Sequence, residues 1–233
     1  MFNSKTPRWL AAIISTAAFI NCADAATIQI TEWMYNGSGA NDIGEFVELT
    51  NVGATAVNFA GWSFDDNSRT PGSQSLSGFG SVAPGESVIF TDLDAGTFRS
   101  NWNLSSSVKV VGGNTNNIGR SDEINIYDNV NALIDRLTYN DQATSGNPAK
   151  GPRTNSTSAN PGSAAALGVN NASLWISSVV GDAEGSYLSL RGEIGNPGIT
   201  SYAAPTVPLP AAAWLMLSGL GLLGSRLRSR KAS

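Results

Sequence analysis

Gly44-Glu45-Phe46-Val47-Glu48-Leu49-Thr50-Asn51 carries an alternation of period two, the period of a β-strand. A strand over 45–51 turns Val47 and Leu49 to a core and puts Phe46 and Glu48 on the opposite face. Outward from this run, short β-branched or aromatic stretches recur at 27–33, 57–64, 74–79, 87–91, 108–111, 123–127 and 132–139, punctuated by Gly, Asn, Asp and Pro. No stretch among them carries a helical stripe. Asn36-Gly37 is expected to supply positive φ, Pro84-Gly85 fits a type II turn leading into Ser87, Gly112-Gly113 reads as a turn, and 128–131 links two strands as a hairpin. Short strands at this spacing predict an all-β fold, an antiparallel sandwich or barrel. Trp62 and Phe64 point the same way, and packing in the core explains them better than a ligand platform does.

Residues 141–172 are rich in Ser, Thr, Asn, Ala, Gly and Pro, with little periodicity. They are expected to form a mobile or surface-draped insertion. A final strand pair is expected within 173–198, and 201–206 serve as a linker.

Both ends differ from this middle. Lys5 and Arg8 precede an apolar run over 9–20, followed by Ala23-Asp24-Ala25. That is the grammar of a secretory signal peptide over 1–25, with Ala23 and Ala25 as the small residues that signal peptidase reads and cleavage after Ala25. A twelve-residue helix covers roughly 18 Å of a hydrocarbon core about 30 Å thick, so a first membrane span is disfavoured. Cys22 would suit a lipoprotein, but Asn21 stands where such signals want a small residue.

At the other end come Val207-Pro208-Leu209-Pro210-Ala211, an apolar segment over 211–224, and a basic end with Arg226, Arg228, Arg230 and Lys231. The basic residues mark the cytoplasmic side, which agrees with export of the body. Fourteen residues make about 21 Å of helix, marginal for a permanent anchor. This tripartite tail, 207–233, resembles a PEP-CTERM sorting signal of the VPLPA type. The resemblance implies an exosortase-type membrane protease, a transient membrane tether, and a final place at or beyond the surface of a Gram-negative cell. An ordinary single-pass inner-membrane anchor is the alternative.

With Ile28, Ile30, Glu32 and Trp33, the block 44–51, Ala60-Gly61-Trp62-Ser63-Phe64-Asp65, Pro84-Gly85-Glu86 within 82–90, and the run 122–139, the body resembles the lamin-tail domain, an immunoglobulin-like antiparallel β-sandwich. The resemblance implies a sandwich over 26–200 that acts in structure, adhesion or display.

Residues 26–204 hold 17 acidic and 8 basic side chains, a net of −9. Such a surface repels phosphate backbones and makes nucleic acid an unsuitable partner; extracellular polysaccharide or other surface proteins suit it better. The chain has no His, and its one Cys lies in the signal peptide. Triads, thiol nucleophiles and His/Cys zinc sites are therefore excluded from the exported domain. Carboxylates remain: Glu45, Glu48, Asp65, Asp66, Asp92 and Asp94 could in principle serve a glycan hydrolase, yet no spacing assigns an acid and a base. No catalytic residue is predicted. Calcium is the one ion suggested, through Asp65, Asp66, Asp92 and Asp94, although turn formation accounts for the same residues more simply.

Overall fold

The opening strand keeps its alternation for three residues and then breaks it. In the computed structural model, which describes residues 28–39, 43–140, 150–152 and 154–203, β1 (Ile28–Met34) pairs antiparallel with β2 (Phe46–Asn51). Ile30 lies opposite Leu49, but Glu32 lies opposite Glu48. Thr31 is the extra residue of a β-bulge, which exchanges the two faces of the strand beyond it. Ile28, Ile30 and Trp33 therefore reach one core, while Met34 reaches another on the far side.

The chain continues through β3 (Val57–Asn58), β4 (Ser63–Asp65), β5 (Gln74–Ser75), β6 (Ser81–Val82), β7 (Ser87–Thr91), α1 (Ala95–Asn101), β8 (Lys109–Val111), β9 (Ser121–Tyr127) and β10 (Leu133–Asn140). Then follow β11 (Ala159–Pro161), β12 (Trp175–Ser177), β13 (Tyr187–Leu188) and β14 (Ile194–Gly195). A six-stranded sheet of order β12-β11-β1-β2-β7-β8 faces a four-stranded sheet of order β10-β9-β4-β5. Between them pack Val47, Leu49, Val88 and Phe90 from the larger sheet with Phe64, Ile124, Ile126 and Leu137 from the smaller. Trp33 stacks on Tyr139 at 4.2 Å between ring centroids, and Phe64 meets Phe90 at 4.6 Å. Trp62 joins the same core.

The larger sheet is covered on both faces, so all six residues of β2 are buried. The cover on its second face begins with α1. Asp94 starts this helix by accepting the amides of Gly96 at 2.9 Å and Thr97 at 3.0 Å, which satisfies two donors that the first turn leaves without partners. Phe98 and Trp102, four apart, then fall on one side and close over Met34, Phe46 and Ile89. Seven residues make about two turns, too few to print a stripe in the sequence. Replacing Asp94 with Ala is expected to destabilise the domain by removing this cap, read as a lower urea midpoint with an unchanged slope.

Other expectations need correction. The runs 57–64 and 74–79 are not continuous strands: the first breaks between β3 and β4 at Gly61, whose φ is 80°, and the second gives way after β5 to a 3-10 turn. The large sheet is not wholly antiparallel, because β8 runs parallel to β7 after the α1 crossover. Asn36-Gly37 has no positive φ; Gly37 is needed for room, since a Cβ there would overlap the Ile43 carbonyl. Pro84-Gly85 does form the expected turn, with φ of 75° at Gly85 and the Glu86 amide donating to the Ala83 carbonyl at 3.0 Å. The 128–131 hairpin is also present.

Part of the stretch expected to drape over the surface, 141–172, is an inner strand. Ala159 pairs with Trp33 of β1, and β12 adds to the outer side of β11. The expected last strand pair becomes β12, in the large sheet, and the separate hairpin of β13 and β14. The signal peptide, the sorting motif, the apolar tail segment and its basic end lie outside the described residues. Among the described residues no helix is long and apolar enough to cross a membrane.

Candidate functional site

The four aspartates expected as calcium ligands serve loops. Burial alone would raise Asp65, but bonds from Ser73, Thr70, Ser68 and Asn116 outweigh it and hold its carboxyl below the usual range. Asp66 accepts the Ser68 amide at 2.8 Å. Asp92 accepts the Gly44 amide at 3.1 Å, tying the start of β2 to the end of β7. Asp94 caps α1. Among the described residues no three His, Cys, Asp or Glu side chains stand together as a metal site.

A different set of acids meets inside the molecule. Glu32 and Glu48 face one another from β1 and β2 on the second face of the large sheet, and Glu193 lies in the segment leading to β14. All three are 0% exposed. Glu48 Oε1 accepts from Thr31 at 2.7 Å and Ser87 at 3.1 Å, and its Oε2 accepts the Gly198 amide at 2.6 Å. Glu32 Oε1 accepts from the Ser158 hydroxyl at 2.5 Å and the Asn196 amide at 2.8 Å. Glu193 accepts from the Ser38 amide at 2.9 Å and from Asn101 Nδ2 at 2.5 Å.

Nearly all the donors come from segments remote in sequence. Residues 178–200 thus lie across the second face as an arm, sewn to the centre of the sheet by buried carboxylates. Burial, and then the charge of Glu48, push Glu32 well above the usual carboxylate range despite its two bonds. Burial also raises Glu48 against its hydroxyl and amide donors. Sequence reasoning placed Glu48 on the far face of its strand but did not bring Glu32 and Glu193 to it. The readable signal was Glu32, an acid at the same parity as the core-facing Ile28 and Ile30.

Two further acids shape the surface. Glu123 forms a pair with Arg69, at 2.6 Å, whose hydrogen bonds hold its carboxyl down at about 2. It lies beside a polar concavity of about 230 Å³ bordered by Asn67, Ser121, Asp122, Thr138 and Asn140. Asp135, on β10, accepts the Ile30 amide of the opposite sheet at 2.9 Å, and burial pushes it up to about 6.

A folded-state pKa above the unfolded value means that the native state holds the proton longer. The stability Asp135 contributes is therefore complete below about pH 4 and is lost as the pH rises through about 6, in total about 3 kcal/mol. Asp135→Asn is expected to remove that component. Urea midpoints of both proteins at pH 4 and 7 check it, and an equal change in the two would refute the assignment.

A bulged strand pair at the centre of two packed sheets, with the acids of β1 and β2 turned away from the sandwich core, defines a mostly β, immunoglobulin-like domain. Residues 22–141 match the Lamin Tail Domain, and the chain belongs to that family. No curated protein and no solved structure matches it. The family match ends at 141, whereas the large sheet takes in β11 and β12 and its second face is covered by residues up to 200.

Proposed function

We propose that the chain is an exported, non-catalytic structural or binding protein, displayed at the surface or in the extracellular matrix of a Gram-negative cell. One observation carries the non-catalytic part. Glu45, Glu48 and Asp65, three of the six acids on which a glycan hydrolase could draw, are 7%, 0% and 1% exposed, and each accepts hydrogen bonds that hold the fold together. A polymer cannot reach them, and paired carboxylates flanking a scissile bond are what that chemistry requires.

Membership of the lamin tail family supports a structural or binding role, by analogy of fold. The terminal segments support the route: signal peptidase acting after Ala25, then an exosortase-type protease acting at Val207 to Ala211, with the basic end from Arg226 to Lys231 on the cytoplasmic side. Polysaccharide or other surface proteins are the partners that suit an acidic exterior with a polar concavity, and the membrane is touched only through the uncut tail.

Cell fractionation with mass spectrometry of both termini tests the route. The expected species begins near Ala26 and lacks 226–233. An intact carboxyl terminus in the membrane fraction would make the chain a permanent single-pass protein instead. Incubation of the purified domain with a broad glycan panel tests the role: retention without turnover is expected, and hydrolysis abolished by Glu45→Gln would overturn it.

A further inference from the structure

Glu32 and Glu48 pose a problem of charge that their surroundings do not solve. They lie directly opposite across an antiparallel pair, where like charges repel, and neither is exposed. Among the described residues no lysine or arginine pairs with them. Arg99 of α1 turns to the carbonyls of Val108 and Ala95, and Lys109 of β8 pairs with Glu86. The other titratable groups near Glu32 are Asp182 of the arm and Tyr187 of β13, neither of which brings a positive charge; Glu193 binds Asn101 and Ser189 instead, and Arg191 of the arm is exposed. From β7, β11 and the last loop come only Ser87, Ser158, Asn160, Asn196 and the Gly198 amide.

The hydrogen-bond pattern carries a second anomaly. Glu32 Oε2 and Asn160 Oδ1 are buried acceptors with no donor among the described residues. Both belong to one network: Asn160 donates to Ser178 and Asn196, and Ser158 joins Ser178 to Glu32 Oε1. A proton on Oε2 would turn one acceptor into a donor and remove one of the two facing charges.

We propose that Glu32 and Glu48 hold one proton between them as an acid–carboxylate pair that latches residues 178–200 onto the sheet, and that loss of this proton loosens the latch. The proposal rests on the fold alone and stands whether or not the chain is exported. Its direction follows from linkage. A group protonated in the native state beyond its unfolded range gives stability that is full below the ordinary glutamate pKa and declines as the pH rises through the folded value. The pair therefore holds the arm most firmly in acid and least firmly in alkali, while Asp182, whose carboxyl is held low against its burial by bonds within the arm, acts in the opposite direction. The Asn196 and Gly198 amides, which donate straight to the pair, report it.

The test is NMR on the chain with carboxyl-labelled glutamate. One carboxyl, assigned to Glu32, is expected to titrate far above the ordinary glutamate range. As it ionises, the exchange protection of the Asn196 and Gly198 amides should fall at least tenfold relative to amides of β2 and β7. Glu32→Gln, neutral at every pH, should keep that protection constant and let Glu48 titrate nearer its normal range. If that variant does not fold, the carboxyl titration of the unaltered protein decides alone. Ordinary titration of both glutamates would overturn the proposal. So would parallel loss of protection in the variant, or calcium at millimolar concentration abolishing the pH response, which would put a cation where the proton is placed.

Discussion

A chain ended after residue 141, where the family match stops, is expected not to fold cooperatively, whereas one continued to residue 203 gives a single unfolding transition. The shorter chain loses β11, which leaves one edge of β1 at Trp33 without a partner strand. It also loses Ala159, Ala166, Ala172 and Trp175 from the sandwich core and Tyr187 from above Trp102. Glu32 is left without Ser158 and Asn196, and Glu48 without Gly198. A buried acceptor left without its donor costs roughly 1–3 kcal/mol, so these losses, added to those of the core residues, approach the whole stability of a domain, about 5–15 kcal/mol. Circular dichroism followed through urea measures it. A cooperative transition at the same midpoint in the shorter chain would refute the view that the arm completes the fold.

The Trp33→Ala variant should lose about 3–5 kcal/mol. Trp33 is 1% exposed, stacks on Tyr139 and stands opposite Val47 and Ala159, so the deletion opens a cavity where β1, β2 and β11 meet. One term works the other way: the indole Nε1 is buried without an acceptor, and removing it recovers part of the loss. Trp33→Phe, which keeps most of the ring and discards that N–H, should therefore be much milder. For a domain of this size the alanine change should lower Tm by roughly 10 °C. A decline of only one or two degrees would mean that the cavity closes by rearrangement.

The paired core of the fold was legible because its strands alternate. β2, β7, β9 and β10 follow from side chains that repeat every second residue, and the hairpin at 128–131 follows from turn chemistry. What escaped had no such period. β11 contributes Ala159, Asn160 and Pro161 to an inner position, where Ala159 alone joins the sandwich core and the rest of its hold comes from the backbone and Asn160. The direction of β8 is not written in its three residues, and α1 is too short for a stripe. The bulge at Thr31 shows only as an alternation that fails between Ile30 and Trp33.

The acids divide in the same way. Those in loops, Asp92 and Asp94 among them, were found by their density, and the structure gives them caps and turns to make. Glu32 and Glu193 were missed because their partners lie far away in the chain, Asn196 and Ser158 for Glu32 and Ser38 and Asn101 for Glu193, and only the folded arm brings them together. A polar residue on the second face of a strand reads as solvent-facing unless something is known to cover it, and the cover here lies at the far end of the domain.

The position at which that cover is fastened governs how the domain bears tension. Asn196 and Gly198 are attached to β1 and β2, the third and fourth strands of six, so a pull on the carboxyl end reaches the sheet at its middle. No outer strand can be peeled away first; several short bonds must break together. Stretching single molecules by that end would reveal it, with Glu48→Ala yielding at lower force than the unaltered chain.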